Sequence, residues 1–424
     1  MDIYHTDLAW KVDLILLGIT ILLAVLNLAY VVINRIYLNR RNQSLTWIIE
    51  AMKNLTETGK TNGKNISLSL AKTFTQDIFI DSLKQTNQTT EIRRRVEDYL
   101  ANHGKISEIE KTADRSKNKR RRIEALLIAG YLKTPSAPVI LRNALLDSDQ
   151  DISYFAMLSL GYLKNNEAAQ ILLDFLGRRV FSGHKIVSIL ETFPPSVVDE
   201  LAEAIKNTDP LVRFWVVKLI TKFKPSALVE KIIALTDDTS LDVRAAACEC
   251  LGELGQPGAQ NAVRRCLTDT EWVVRMYAIR ALPKIIGQES IPFISNLITD
   301  PSLLVRRSVK EVMTQYIETA LPYLEALLHG NNDSVKKDCI EILENSGYLK
   351  VLFQNILSGP AAEQQKSIAL LEELIKSGAH FGIESAIERF PDDSRQKIME
   401  TIAQINKAAA DHIGKKINHL VEEL

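Results

Sequence analysis

Paired acidic and basic side chains recur at a fixed interval in the middle of this 424-residue sequence. Val-Arg dipeptides end at Arg213, Arg244, Arg275 and Arg306, which are evenly spaced, and an Asp precedes each of them. A guanidinium group can donate two parallel hydrogen bonds to a carboxylate, which makes such pairs strong and geometrically specific. The spacing therefore predicts a structural Asp/Arg ladder rather than a catalytic centre, formed by Asp209, Arg213, Asp238, Arg244, Asp269, Arg275, Asp300 and Arg306.

Residues that could perform catalysis or bind a metal are scattered along the sequence. The seven His and four Cys residues show no zinc-type spacing, and the sequence contains neither a Gly-rich phosphate loop nor a nucleophile elbow. Cys250 and Cys339 fall at apolar positions of the repeat, where free Cys commonly packs as a small hydrophobe. We therefore expect no enzymatic activity, no metal, no cofactor and no small-molecule substrate. The unpaired cysteines favour a reducing compartment.

Each Val-Arg dipeptide begins a segment with helical periodicity. Three, six and seven residues after the Arg the side chains are apolar, as in Val216, Leu219 and Ile220. A shorter apolar segment follows, such as 227–235 or 291–298. Repeating units of this constant length predict a fold of the all-α class. It is an α-solenoid of about 8–10 helical hairpins, because stacked repeats share one continuous core.

The charged residues have predicted positions within each unit. The Asp is expected to cap the helix that follows it, because a carboxylate accepts the unpaired amide hydrogens of a first turn. The Arg is expected to reach either the Asp of its own unit or that of the adjacent one. In two upstream units Ser153 and Gly183 occupy the Arg position, so the ladder is expected to be interrupted there.

The pattern Asp-(x)n-Val-Arg-x-x-Ala-x-x-Ala-Leu is clearest at 237–252 and 269–282. It resembles HEAT repeats, in particular the short bacterial type also found in phycobilisome-lyase-like proteins, over roughly residues 105–350. The resemblance implies an α-solenoid whose concave face holds a protein partner. Because the family also contains chromophore lyases, the resemblance leaves a tethered lyase-like enzyme as an alternative.

A long apolar run lies near the start of the sequence. Residues 14–33 are uncharged and are long enough to span about 30 Å of hydrocarbon as a helix, so we predict a transmembrane helix at 12–33. A cleaved signal peptide would need a basic start and a small-x-small cleavage site, and neither is present. Arg35, Arg40 and Arg41 follow the run, whereas Asp residues predominate before it. The positive-inside rule thus places residues 1–11 outside and the solenoid in the cytoplasm, on a single-pass inner membrane protein.

The remaining chain is divided by composition and by the strength of the repeat. Residues 34–104 are predicted to be a juxtamembrane helical region, 105–350 HEAT-like repeats, and 351–424 degenerate repeats with a C-terminal cap. The net charge of zero gives no global field that would attract nucleic acid, which is not expected as a partner.

A basic patch stands out locally, since residues 105–122 hold eight Lys or Arg against three acids. On a tethered chain this patch could contact anionic lipid, an acidic partner or RNA, or it could be a solvated turn. No interleaved aromatic residues favour the stacking of single-stranded nucleic acid. The densest part comprises Lys117, Lys119, Arg120, Arg121 and Arg122.

A candidate partner-binding surface lies on the Val-Arg helices. The positions just after the Arg hold Tyr154, Phe155, Phe214, Trp215, Met276 and Tyr277, and the positions five after it hold Leu127 and Leu158. Exposed apolar side chains in a row would suit a protein interface, but they could instead pack beneath the neighbouring repeat. Further along the second column, Lys218, Glu249, Arg280 and Glu311 alternate in sign, which predicts ion pairs between repeats.

Together these features predict a membrane-anchored, non-enzymatic HEAT-repeat scaffold or regulator that docks a protein. The resemblance suggests an envelope enzyme, for example of the glycosyltransferase type, or a signalling component as the client. A polybasic lipid- or RNA-binding protein is a further alternative.

Overall fold

The computed structural model describes residues 100–102 and 104–422, with side chains described as far as Gly414. No strand occurs in this part of the chain, which confirms the predicted all-α class there. Within it, helices α1 to α21 follow one another in chain order. The helices are α1 Lys105–Arg115, α2 Lys119–Leu132, α3 Ala137–Ala144, α4 Gln150–Leu163, α5 Asn166–Leu176, α6 Gly183–Leu190, α7 Val198–Ala204, α8 Pro210–Phe223, α9 Val229–Ala234, α10 Leu241–Leu254, α11 Gln260–Cys266, α12 Trp272–Ile286, α13 Ile291–Ile294, α14 Leu303–Gln315, α15 Ile317–Leu328, α16 Asp333–Asn345, α17 Tyr348–Ser358, α18 Ala361–Lys376, α19 His380–Ile387, α20 Asp392–Ile405 and α21 Lys407–Glu422.

The chain divides into two compact units. The first comprises the residues up to Phe175 together with Ser188–Pro194, and the second comprises Leu176–Val187 and Pro195–Leu424. In the first unit α1 packs on α2, α2 packs on α4, and α3 fills the space beside both. In the second unit α8, α10, α12, α14 and α16 lie side by side, each against the equivalent helix of the next repeat.

The apolar positions predicted from the periodicity form the core of the second unit. All twelve are buried, as expected for one face of each long helix packed against its neighbours. Each fully buried large aliphatic side chain stabilises the fold by about 1.5–3 kcal/mol, so a seam of this kind is the main source of stability. The residues are Val216, Leu219, Ile220, Ala247, Cys250, Leu251, Ala278, Ala281, Leu282, Val309, Val312 and Met313.

The shorter helix of each of these repeats covers less of the chain than predicted. The segment predicted at 227–235 is an α-helix only at α9, with 3₁₀ turns at Ser226–Leu228 and Leu235–Asp237 on either side. The segment predicted at 291–298 is α-helical only in α13 and continues as a 3₁₀ turn, Ser295–Thr299. Short helices commonly tighten into 3₁₀ turns at their ends, where α-type hydrogen bonds are lost. The apolar periodicity of the sequence did not distinguish α-helical residues from residues in 3₁₀ turns.

Several of the long helices end in a left-handed residue, which is not always Gly. Gly255 ends α10 with a φ of 62°, whereas Lys133, Lys164 and Lys224 end α2, α4 and α8 with φ values of 54°, 49° and 51°. The ammonium group of Lys224 donates to the carbonyl of Glu253 at 3.1 Å, near the C-terminus of α10. A cation is favoured at this negative end of the helix dipole. This interaction offsets the cost of placing Lys224, rather than Gly, in the left-handed conformation that ends α8.

Among the residues that the structure describes, no helix is both long enough and apolar enough to cross a membrane. The predicted transmembrane helix at 12–33, the N-terminal segment 1–11 and nearly all of the juxtamembrane region 34–104 lie outside those residues. Helical pairs continue beyond residue 350 as α17 to α20, in the part of the chain predicted to contain degenerate repeats.

Candidate partner-binding surface

Arg275 connects two consecutive repeats of the second unit. Its Nε and Nη2 atoms donate to the two carboxylate oxygens of Asp300 at 2.8 and 2.9 Å. Its Nη1 atom donates to the carbonyl oxygens of Asp269 and Thr270 at 2.8 and 3.1 Å. One guanidinium group thus binds the turn of its own repeat through the backbone and the turn of the next repeat through a carboxylate.

The same arrangement recurs one repeat at a time, always between an Arg and the Asp 25 residues later. In the second unit the further pairs are Arg213 with Asp238, at 2.7 and 2.7 Å, and Arg244 with Asp269, at 2.8 and 2.9 Å. In the first unit Arg122, which the sequence analysis assigned to the basic patch, makes the equivalent contact to Asp147 at 2.7 Å. Neither Arg244 nor Arg275 pairs with the carboxylate of the Asp six residues before it. Arg213, Arg244 and Arg275 each donate to the backbone carbonyl of the residue six positions earlier, whereas Arg122 donates to the carbonyl of Ala113.

The carboxylates of the ladder also order the turns, although they do not cap the helices. Asp238, Asp269 and Asp300 each accept a hydrogen bond from the amide two residues later, at 2.8, 2.9 and 2.8 Å. The residues that precede α10, α12 and α14 provide no side-chain cap. The expectation that these Asp residues cap the following helices is therefore wrong, because the carboxylate is taken up by the turn and by the Arg of the preceding repeat.

Two predicted members of the ladder occupy other positions. Asp209 is the N-cap of α8, where its carboxylate accepts from the amide of Leu211 at 2.9 Å. The residue one repeat before Asp238 is Asn207, so Asp209 lies outside the register of the ladder. Arg306 donates only to the carbonyl oxygens of Asp300 and Pro301, at 2.7 and 3.3 Å, and has no carboxylate partner within the described residues. In the next repeat Asn331 occupies the position equivalent to Asp300, and the ladder ends there.

In two upstream repeats the position of the ladder Arg is occupied by Ser153 and by Gly183, and the two residues make different contacts. Ser153 is buried, and its hydroxyl donates to the carbonyl of Leu145 at 2.7 Å. Gly183 lies against the indole ring of Trp215, and a Cβ atom at residue 183 would come within 2.0 Å of the indole Nε1. The absence of a side chain at Gly183 therefore gives Trp215 its place in the second unit.

The ladder carboxylates are ionised under ordinary conditions. Burial by itself would raise the pKa of the Asp300 carboxyl, but the hydrogen bonds from Arg275 and from the amide of Ser302 outweigh it. The pKa consequently lies below the ordinary value of 3.8. The pKa values of Asp238 and Asp269 are lowered for the same reasons, with burial opposed by Arg213 and Arg244 respectively. Each rung is therefore an ion pair that holds two repeats together at neutral pH.

A second set of ion pairs joins the outer faces of the long helices. Lys218 pairs with Glu249, and Arg280 lies 3.6 Å from Glu311, so the alternating column predicted from the sequence forms pairs between adjacent repeats. Lys218 and Glu249 are half-buried and Arg280 and Glu311 are about half exposed, so solvent screens both pairs, and such pairs contribute only about 0–1 kcal/mol each. Their effect is to keep this part of the helix face polar.

The basic patch of the first unit is largely neutralised by nearby acids. Three of its five side chains form ion pairs, which leaves Lys117 and Arg121 without an acidic partner in the described part of the chain. This arrangement weakens the case for a polybasic lipid or RNA site. The pairs are Lys119 with Asp149 at 2.8 Å and with Asp151 at 2.6 Å, Arg120 with Glu124 at 3.0 Å, and Arg122 with Asp147 at 2.7 Å.

The predicted partner-binding residues are mostly half-buried rather than exposed. In the second unit Phe214 packs edge-on against Trp215, with ring centroids 5.1 Å apart, and Met276 and Tyr277 are also half-buried. In the first unit Tyr154 is exposed, while Phe155, Leu127 and Leu158 are half-buried. Within the second unit, Trp215 packs on the preceding helix at Gly183 rather than projecting into solvent.

The sequence analysis missed a different apolar row in the second unit. Leu241, Trp272 and Leu303 are the first residues of α10, α12 and α14, one in each of three consecutive repeats, and they are 36%, 39% and 65% exposed. Leu304 beside them is also exposed. We call Leu241, Trp272 and Leu303 the apolar column. The sequence did contain a signal for this column, because each of its residues lies two positions before a buried Val of the repeat. The periodicity analysis nevertheless assigned these positions to the turn.

The cysteine side chains of the repeats lie in the interior of the fold. All four Cys residues are buried. Burial raises the pKa of the Cys250 thiol to about 11 and that of Cys339 to about 12, so both remain protonated at neutral pH. Within the described residues, no group of three or more His, Cys, Asp or Glu side chains is arranged to hold a metal ion.

Comparison with known proteins supports the repeat assignment. The profile of the HEAT repeat family matches residues 198–282 and 261–344, which cover the ladder pairs of the second unit and the apolar column. HEAT repeats are therefore present in the second unit, as predicted from the Asp/Arg signature. No curated protein has a matching sequence.

Several solved structures are similar to this chain at low identity. The karyopherin Kap121p, bound to the extreme C-terminus of the protein phosphatase Cdc14p, is 15% identical, with a TM-score of 0.43 over 87% of this chain and 50% of that one. An engineered protein is 15% identical, with a TM-score of 0.33 over 78% of this chain and 98% of its own. Kap95p, in a structure that concerns its binding to RanGDP, is 10% identical, with a TM-score of 0.40 over 88% of this chain and 62% of the Kap95p chain. This chain spans about half the length of the Kap121p structure.

Proposed function

We propose that this protein is a membrane-tethered, non-enzymatic scaffold that docks a protein partner on its HEAT repeats. The observation that carries the proposal is the apolar column, which exposes one large hydrophobic side chain per repeat across three consecutive repeats. The other large apolar side chains of these helices are mainly buried in the seam between repeats. An ordered row of exposed hydrophobic residues is characteristic of an interaction surface.

The apolar column has features of a binding surface rather than of a core. Each of its residues is the first of its helix, so it lies on the turn side of the repeat and not in the buried seam. Trp272 is at its centre, and Trp is among the residue types that dominate binding energy when a partner covers them. Because the ladder ties the three turns together, the column is held in a rigid arrangement that costs little conformational entropy on binding.

The tether and the compartment are part of the proposal. The uncharged run at 14–33 and the arginines after it favour a single-pass inner membrane protein with the repeats in the cytoplasm. A scaffold confined to the membrane surface would meet envelope enzymes, glycosyltransferases or membrane signalling components as clients. Cys250 and Cys339 are buried and protonated at neutral pH, which favours docking over a lyase-like activity that would use either thiol as a nucleophile.

Carbonate extraction of membranes is expected to leave the full-length protein in the pellet, because an apolar helix of this length inserts stably into the bilayer. Deletion of residues 1–41 should release the protein into the supernatant. A reporter fused after Leu424 should indicate a cytoplasmic location. Full-length protein that washes off the membrane would contradict the tether, and a periplasmic reporter would contradict the orientation.

The double substitution of Trp272→Ser with Leu303→Ser is expected to abolish partner recovery in a cross-linking pull-down from membranes. Removing two exposed anchors from one interface lowers affinity by about tenfold or more each if they are hot spots. The thermal unfolding midpoint should fall only modestly, because Leu303 is 65% exposed and Trp272, at 39% exposed, loses only the packed part of its ring. The matched control is Val351→Ser, which removes an exposed hydrophobic side chain of α17, in the same unit.

Equal recovery of the same cross-linked partner with the wild-type protein and the double variant would contradict docking on the apolar column. Loss of recovery with the Val351→Ser control as well would show that capture depends on exposed hydrophobic surface in general.

A further inference from the structure

A groove with both apolar and basic lining residues lies between the shorter helices of two consecutive repeats in the second unit. Its volume is about 610 Å³, and it is open to solvent. Leu267, which is buried, and Phe293 contribute its apolar surface, and the rest of its lining is polar or Pro. The lining residues are Asn261, Arg264, Arg265, Leu267, Thr268, Pro292, Phe293 and Asn296.

Arg264 is the principal charged group in this groove. Its guanidinium carbon lies 3.7 Å from the centroid of the Phe293 ring, so the flat group stacks on the ring. Stacking holds the guanidinium in place while leaving its N–H donors at the edge available. Within the described residues Arg264 has no carboxylate partner. It therefore differs from Arg213, Arg244 and Arg275, whose donors are used by the ladder.

Arg265, the second charged group of the lining, adds to the positive charge of the groove. Arg265 lies 3.3 Å from Asp237, but both side chains of this pair are mostly exposed, so the attraction is screened by water. No acidic side chain lines the groove. The groove thus presents two positive charges to whatever enters it, and its charge is complementary to a carboxylate-bearing ligand.

Two amide side chains complete the lining. Asn261 is on α11, and Asn296 is in the 3₁₀ turn after α13, and both are exposed. An Asn side chain offers a carbonyl acceptor and an amide donor, the pair that an extended peptide backbone can satisfy. Arg264 covers one face of the Phe293 ring, which is therefore not available for a nucleic-acid base to stack on.

We propose that this groove binds an extended acidic segment of a protein partner, with a carboxylate on Arg264 and the peptide backbone on Asn261 and Asn296. The inference rests on the proposed docking function but not on the apolar column. It gives the scaffold a charge-selective contact on the opposite helix of the hairpin from α12 and α14. An extended strand places alternate side chains on one side, so acidic residues at every second position would face the groove together.

The test is fluorescence anisotropy with the full-length protein in detergent and a fluorescein-labelled peptide of five Glu-Thr repeats. The wild-type protein should bind this peptide and should bind the matched peptide of five Gln-Thr repeats at least about tenfold more weakly, because the charge-assisted bond to Arg264 is lost. Arg264→Gln should weaken binding of the acidic peptide by about tenfold. Arg264→Lys should weaken it as well, because Lys keeps the charge but lacks the planar fork.

The control variant is Arg307→Gln, which removes an exposed Arg of α14 that does not line the groove. This variant should bind the acidic peptide as the wild-type protein does. Equal affinity of the Arg264→Gln variant and the wild-type protein would overturn the proposal, and so would an equal loss with Arg307→Gln. Displacement of the peptide by inorganic phosphate, but not by chloride at the same ionic strength, would indicate a general anion site and would also overturn it.

Failure of this proposal can be separated from failure of docking on the apolar column. The Trp272→Ser and Leu303→Ser double variant should retain full affinity for the acidic peptide, because neither residue lines the groove. Unchanged thermal unfolding of the Arg264→Gln variant would show that the side chain acts in binding rather than in folding.

Discussion

Replacing Arg275 with Ala is expected to lower the free energy of unfolding by about 3 kcal/mol. The substitution leaves the carboxylate of Asp300, whose side chain is 4% exposed, without its two hydrogen bonds from Arg275. It also frees the carbonyl groups of Asp269 and Thr270, so the turns of two consecutive repeats lose their common contact. Urea-induced unfolding followed by circular dichroism measures the effect.

The chain contains a matched control for this prediction. Arg306 occupies the same position one repeat later and makes the same backbone contacts, but has no carboxylate partner in the described residues. Arg306→Ala should therefore cost only about 1 kcal/mol, the value of the neutral hydrogen bonds. Similar losses for Arg275→Ala and Arg306→Ala would show that the carboxylate pair contributes little and that the ladder acts through the backbone alone.

The penalty of Arg275→Ala should also depend on pH. The folded-state pKa of Asp300 is lowered, so the pair contributes its full stability above the unfolded value of about 3.8. As pH falls below that value and through the lower folded-state pKa, the carboxylate becomes protonated and the contribution is lost. The difference between the wild-type protein and the variant should therefore narrow in acid. A difference that stays constant between neutral and acid pH would contradict an ion pair.

Replacing Gly252 with Ala is expected to destabilise the second unit by about 2 kcal/mol, although Ala favours helices over Gly by about 1 kcal/mol. Gly252 lies where α10 crosses α12, and a Cβ atom there would come within 2.8 Å of the Cα of Ala281 and 2.9 Å of its Cβ. The contact is with backbone, so relief requires the two helices to move apart, which loosens the buried seam. Thermal unfolding with a calorimetric readout measures the loss.

Gly258→Ala is the control, six residues along the chain. No atom lies within 4 Å of a Cβ added at Gly258, so this substitution should be neutral or slightly stabilising. A higher unfolding temperature for Gly252→Ala than for the wild-type protein would show that α10 and α12 do not require such a close approach.

Much of the fold followed from the period of the sequence. The constant interval between Val-Arg dipeptides and the apolar residues three, six and seven after each Arg determine which side of each long helix is buried, and all twelve of these side chains in the second unit are buried. This part could be predicted because helical geometry relates spacing in the sequence directly to position on one helix. The HEAT repeats were recognisable from the same residues.

The contacts between repeats were decided by the tertiary structure. The sequence left open whether Arg275 pairs with the Asp before it or the one after it, since periodicity places an Asp in the turn on either side. Stacking of the repeats brings the carboxylate of Asp300 to the guanidinium, while the carboxylate of Asp269 is occupied by Arg244. The same stacking half-buries Phe214 and Trp215 and leaves Trp272 and Leu303 in solvent. Periodicity describes one helix at a time, whereas the ladder, the apolar column and the groove at Arg264 depend on how neighbouring helices pack, which is set by side-chain volume and backbone approach over the whole unit.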